Sequence, residues 1–158
     1  MRVVPVLHNT SSVQKLVDMA KVVLSLGMDV LVTTKVYGAA AQSGIAEAYR
    51  LLLKSGKGLV VLPELSDVAE VYRGFQVLLV DKEHAQDLID PLSDDVTKLG
   101  ENVLLVFNGS DSPFTPQELS LGRPIYIRGL SYRAGSSAEA SLLLYSLMRR
   151  ANPGAKPA

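Results

Sequence analysis

Cysteine is absent from the 158-residue chain, and histidine occurs only at His8 and His84. The first absence excludes disulfides, thiolate nucleophiles and cysteine-ligated zinc or iron–sulfur sites together. The second leaves too little imidazole for a histidine-rich metal site. Excess charge of either sign is also missing, since sixteen basic residues meet sixteen acidic ones. A protein that wraps duplex nucleic acid unaided draws its affinity from neutralising phosphates, so any nucleic-acid partner must be met here by a local basic patch. No apolar run approaches the roughly 20 residues that cross a bilayer. The opening "MRVVPVLHN" is too short and too soon interrupted for a signal peptide. A soluble, cytoplasmic protein is expected.

What is present is ample core material: 47% of the residues are hydrophobic and 20% charged, which argues against disorder. The length predicts one domain, over residues 1–151, followed by a frayed tail "NPGAKPA" at 152–158. Short apolar runs alternate with segments of helical period. The strand candidates are "RVVPVL", "MDVLVTTK", "GLVVLPE", "FQVLLVD", "NVLLVFN" and "RPIYIRG". Most lack polar alternation, as expected of strands buried on both faces of a parallel sheet. Between them, "SSVQKLVDMAKVVLSLG" and "GIAEAYRLLLKSG" carry apolar stripes that end at glycine. "SDVAEVYRG" is a short helix capped by Ser66 or Asp67, and "TPQELSLG" has Pro116 at a first helical position. "KEHAQDLIDPLSDDVTKLG" is polar and broken at Pro91, an irregular helical connection, and "SSAEASLLLYSLMRRA" forms the last helix. This βαβ series predicts an α/β fold with a six-stranded, mostly parallel sheet and helices on both faces.

In such sheets ligands sit beyond the carboxyl ends of the strands. In the first of those loops, Asn9, Thr10, Ser11 and Ser12 either cap a helix or bind an anion. In the second, Gly38 and three alanines allow close backbone approach, with Lys35 and Gln42 as polar probes, although tight helix–sheet packing explains the small residues equally. Gly109 follows an apolar strand and precedes the acceptors Ser110 and Asp111, and "RGLSYRAGSSAE" closes the set. No GxGxxG, GxxxxGK[ST] or GxSxG pattern occurs, which argues against dinucleotide, P-loop and nucleophile-elbow chemistry. The carboxylates of "LPELSD" and "DPLSDD" could bind Mg²⁺ for nuclease work, but the second group looks solvated, and no metal site is expected.

The carboxyl-terminal succession "NGSD", "RPIYI" and "GSSAEASLLLY" resembles the cofactor-binding half of the SPOUT class of RNA methyltransferases. "LHNTSSVQKLVDMAKVVLSLG" and "TKVYGAAAQSG" look similar to a small archaeal, SpoU-like subgroup of that class. The resemblance implies a carboxyl-terminal trefoil knot, S-adenosylmethionine as cofactor, and methyl transfer to tRNA or rRNA, with the ribose 2′-oxygen as one acceptor. It assigns the cofactor to Leu79, Val80, Gly109, Ser110, Ile127, Gly129, Leu130, Ser136 and Ser137. Asn9 matches the family's asparagine, and Asp111 stands where many members carry a glutamate. The first helix has no arginine; Lys15 and Lys21 are its cations, and Lys21 joins Asn9 and Asp111 in the implied catalytic set. Lys35, Gln42, Arg128 and Arg133 are the implied substrate contacts. A homodimer through the last helix, by way of Leu142, Leu143, Leu144 and Leu147, is implied as well. The alternatives are a non-catalytic knotted dimer that binds RNA or protein, and a flavodoxin-like nucleotide-binding module.

Overall fold

Each of the apolar runs becomes a strand in the computed structural model, which describes residues 1–151 and Gly154. In chain order the elements are β1 (Arg2–Thr10), α1 (Val13–Ser25), β2 (Val30–Val36), α2 (Ile45–Lys54), β3 (Gly58–Leu62), α3 (Leu65–Val71), β4 (Gln76–Val80) and β5 (Asp87–Ile89). They continue with β6 (Asn102–Asn108), α4 (Pro116–Leu119), β7 (Arg123–Ile127) and α5 (Ser136–Ala151). A π-turn over Ala40–Gly44 leads into α2, and a 3₁₀ turn over Asp94–Lys98 precedes β6. The tail expected from residue 152 lies outside the described residues, Gly154 excepted. Among the described residues no helix is long and apolar enough to cross a membrane.

The sheet has seven strands in the order β3-β2-β1-β6-β4-β7-β5, and every pairing is parallel. The additional strand corrects the six-stranded expectation. β5 is three residues long and arises inside the polar segment expected to be an irregular helical connection. Only Ile89 of this strand is buried, so its composition carries no apolar run.

Alternation along β1 divides the core. Val4 and Val6 face one side, where they pack with Val32, Val106, Leu65 and Val68 of α3, and Phe114. Leu7 faces the other, among Leu16 and Met19 of α1, Leu52 of α2, and Leu143, Leu144 and Leu147 of α5. Full burial of each such side chain is worth about 2 kcal/mol. Three of the four leucines expected at a dimer face therefore serve this chain's own core, and only Leu142 is exposed.

Local signals place the helix ends. The Ser12 hydroxyl accepts the Lys15 amide at 3.2 Å, and Gly27, at φ 66°, ends the first helical segment. α3 is capped two or three residues earlier than expected, by Glu64 rather than Ser66 or Asp67, and the Asp67 carboxylate accepts the Glu64 amide at 2.9 Å. Thr115 and Glu118 form a reciprocal capping box around α4, at 3.2 and 2.9 Å.

β7 enters between β4 and β5 through a point of close backbone approach. A Cβ at Gly122 would fall on the Val77 carbonyl oxygen and 2.7 Å from the Val77 Cβ. Gly122→Ala is therefore expected to cost about 3 kcal/mol in chemical denaturation, the upper end for overpacking. A loss no larger than that of an exposed glycine such as Gly56 would show that β7 does not depend on this contact.

Candidate active site at the carboxyl edge of the sheet

Unusual backbone collects where β1, β2 and β6 end. Asn9 (φ 65°) and Lys35 (φ 51°) are the non-glycine residues with left-handed φ among those described. They sit side by side, because His8 pairs with Thr34 and Thr10 with Val36. Such conformations cost on the order of 1–3 kcal/mol each and persist where the surroundings enforce them. Here the Lys35 amide donates to the Pro63 carbonyl at 2.9 Å, and the Gly109 amide to the His8 carbonyl at 2.7 Å. A Cβ on Gly109 would lie 2.9 Å from that of Thr10, so the third strand end must be glycine.

Beneath this edge runs a buried polar chain. His8 lies between the Thr34 hydroxyl and the Glu118 carboxylate, each 2.6 Å from one ring nitrogen. Burial lowers the affinity of His8 for a proton despite the adjacent Glu118. Burial also works to raise the Glu118 pKa, but the Thr115 amide and His8 outweigh it and hold the carboxyl below its ordinary value. A neutral imidazole beside an ionised carboxylate carries its proton on Nε2. His8 Nε2–H then donates to Glu118, and Thr34 O–H donates to Nδ1. The ring of Phe114 stacks over His8 at 5.8 Å between centroids. Thr34 is fully buried, so this chain of hydrogen bonds presents no nucleophile to solvent.

A second group is open. At the end of β4, Asp81 accepts from His84 Nδ1 at 2.6 Å; the carboxylate is 10% exposed and the imidazole 45%. The Glu83 amide holds the other carboxylate oxygen at 3.1 Å. The Asp81 side and Arg133 line one small cavity with Glu139. Arg133 donates to the carbonyls of Ser110 at 3.1 Å and Asp111 at 3.3 Å, while Lys15 Nζ donates to the Gly109 carbonyl at 3.1 Å. Behind them Tyr126 O–H donates to Glu139 at 2.6 Å. Burial, then this bond, pushes the phenol up to about 12, and burial likewise raises Glu139.

Of the residues expected from sequence, the structure gathers Ser110, Asp111, Arg133 and Ser136 around one cavity of about 140 Å³, with Lys15. Gly109 and Asn9 adjoin it. Leu79 and Ile127 are fully inside the core, and Val80 is nearly so. Gly129 lies exposed at φ 95°, and Leu130 packs against the core beside it. The Ser137 carbonyl accepts the Ser141 hydroxyl within α5. Lys35, near the end of β2, and Gln42, in the π-turn that follows, are both exposed. Two residues lie elsewhere: Arg128 on the β5 edge with Asp95 and Lys98, and Lys21 in a groove between α1 and α5. Lys21 is roughly 9 Å further along α1 than Lys15, so it does not join Asn9 and Asp111. Sequence reasoning missed His8, Thr34 and Glu118, and passed over Asp81 and His84, whose i, i+3 spacing was a local signal.

Three of the carboxylates that suggested Mg²⁺ are engaged within the chain. Asp67 caps α3, and Asp90 and Asp95 close the turn before β6. Among the described residues no three His, Asp or Glu side chains are grouped to hold a metal ion.

The model of a family described as RecB-family nuclease (DUF2122) matches residues 38–146. The chain belongs to this family. A relative from Aeropyrum pernix, named as a candidate type II restriction enzyme, ApeKORF2002P, is 47% identical over 152 residues, covering 96% of each chain. MjaORF1200P from Methanocaldococcus jannaschii, named likewise, is 31% identical over 145 residues, 91% of this chain and 94% of that one. Among solved structures, the SpoU methyltransferase AviRb from Streptomyces viridochromogenes superposes with a TM-score of 0.73 at 13% identity, over 97% of this chain and 61% of that one. That likeness establishes an α/β fold with a parallel sheet and helices, and nothing about chemistry.

Membership in the nuclease family overturns the assignment to the SPOUT methyltransferases, and with it RNA methylation and the S-adenosylmethionine cofactor. The loops give a physical reason. The main-chain carbonyls of Gly109 and Ser110, expected among the contacts of a methyl donor, are occupied by this chain's Lys15 and Arg133.

Because His8 binds a proton less readily in the folded chain than in the unfolded one, the unfolded state holds more protons below about pH 6.5. Stability falls as the pH drops through that range, and Glu118 extends the loss to lower pH. The melting temperature is expected to decline between about pH 7.5 and 5, with a shallower slope in His8→Gln whatever its starting stability. Equal slopes would place the titrating group elsewhere.

Proposed function

We propose that this protein is a nuclease that hydrolyses nucleic-acid phosphodiesters at the carboxyl edge of its sheet. The observation that carries the proposal is the exposed His84 imidazole, held at 2.6 Å by the mostly buried Asp81 carboxylate. Asp81 of this pair lines the small cavity that Arg133 also lines. Asp81 keeps the His84 proton on Nδ1, so Nε2 presents its lone pair outward and can take a proton from an attacking water. The water oxygen bonds to phosphorus as the ester oxygen leaves. The leaving oxygen takes a proton from solvent or from the imidazolium just formed. Arg133 and Lys15 would counter the charge that builds on the non-bridging oxygens. Asp111, Ser110, Asn9 and Lys35 would contact the same strand of nucleic acid. Family membership and the relatives' names support this reading.

Three subsidiary proposals accompany it. One is a knot, in which the closing segment would pass through the loop leading from β4 to β6; the position of β7 between β4 and β5 is the strand order such a passage would leave. The protein is a dimer: an apolar groove of about 670 Å³ between α1 and α5, with Val22, Leu26, Leu92, Leu142 and Tyr145, is covered by a second copy. It acts in the cytoplasm.

Plasmid DNA, single-stranded DNA and tRNA incubated with the purified protein, with Mg²⁺ or with EDTA, form the test. Cleavage that survives EDTA and falls about 100-fold in His84→Ala is the expected outcome. Absence of cleavage on every substrate, or an undiminished rate in His84→Ala, sinks the proposal.

A further inference from the structure

We infer that the site takes an unpaired nucleotide, its base stacked on Tyr132 and its phosphate held by Lys15 and Arg133. This deepens the nuclease reading and rests on it for the chemistry, while the binding stands by itself.

Tyr132 is 83% exposed, more than Tyr37 at 50%, Tyr49 at 47% or Tyr145 at 58%. Its backbone is nevertheless tightly placed. The Tyr126 hydroxyl lies 3.3 Å from the Tyr132 carbonyl and accepts the Ala134 amide at 3.3 Å. That hydroxyl is fixed in turn by buried Glu139. Arg133, the next residue, is tied to the carbonyls of Ser110 and Asp111. An aromatic ring carried on so constrained a segment loses little entropy when a ligand stacks on it.

The ring borders the cavity of about 140 Å³ that Lys15, Ser110, Arg133, Gly135 and Ser136 also line. A phosphate placed between Lys15 and Arg133 in this cavity leaves its base within reach of the exposed Tyr132 ring on the rim. Of the five N–H donors of a guanidinium, Arg133 spends two on carbonyls, which leaves donors for an anion. Asp111, on the same rim, can accept from a ribose hydroxyl or a base amino group.

Two facts favour an unpaired strand over a duplex. The net charge is zero, so the chain has no overall excess of positive charge to draw in two phosphate backbones. A tyrosine face can stack only on a base released from its own helix.

Fluorescence anisotropy of wild-type protein decides the matter, using a labelled 12-nucleotide single strand as DNA, the same sequence as RNA, and the DNA duplex. The single strands are expected to bind at least tenfold more tightly than the duplex, and the two sugars tell which unpaired strand is taken. Tyr132→Ala should weaken single-strand binding about tenfold, with recovery in Tyr132→Phe. Lys15→Ala should instead reduce the salt dependence by about one phosphate. An unchanged melting temperature in Tyr132→Ala verifies that the loop stays folded. Duplex binding as tight as that of the single strands, or Tyr132→Ala binding like wild type, overturns the inference. Single-strand binding without cleavage would count against the nuclease reading alone; cleavage with no preference for unpaired strands would count against this one alone.

Discussion

The hydrogen-bonded chain from Glu118 through His8 to Thr34 ties α4 to the paired strands β1 and β2. It lies immediately under the strand ends where Asn9 and Lys35 adopt left-handed backbone. Each buried polar atom in it has a partner, and among the described residues no buried side-chain nitrogen or oxygen lacks one. Removing one member would strand the others away from water, which is why such networks are rigid when complete and costly when broken. The capping box of α4 serves the same end: one Glu118 oxygen holds the Thr115 amide, leaving the other aimed at His8. A short helix of four residues is thereby oriented.

A layered parallel sheet of this kind specifies where ligands bind more strongly than what is done to them. The superposition with AviRb at 13% identity and the membership of a nuclease family are compatible on those terms. The loops at the carboxyl edge decide the chemistry, and in this chain they are filled differently from a methyl-donor cradle. Lys15 reaches from α1 to the Gly109 carbonyl, and Arg133 reaches back to the loop after β6. Cations that neutralise main-chain carbonyls also leave positive charge at the rim, which suits a phosphate. On the proposed reading the open Asp81–His84 pair transfers protons at the surface, and the closed Glu118–His8 pair lies buried beneath it.

Much of the architecture was legible in the residues, since uninterrupted apolar runs leave little choice but strands covered on both faces. β5 escaped because Asp87 and Leu88 are exposed and only Ile89 is buried. The cluster of Gly109, Ser110 and Asp111 was visible as a loop, and Arg133 as a nearby cation, but their contact spans more than twenty residues of chain. His8 and Glu118 are 110 residues apart, and His8 and Thr34 are 26 apart. No period or local motif connects them. Leu143, Leu144 and Leu147 looked as suitable for a partner as for the interior, because a stripe of leucine does not say what covers it.

By itself the sequence determined the fold class, the parallel order of alternating elements and the exclusion of thiol chemistry, since these follow from side-chain period and from residue types present or missing. Only the tertiary structure decided which polar groups are spent on one another and which remain open to a ligand. The physical reason is that hydrogen bonds are settled by distances of about 3 Å between atoms remote along the chain, and strand register, not local composition, sets those distances.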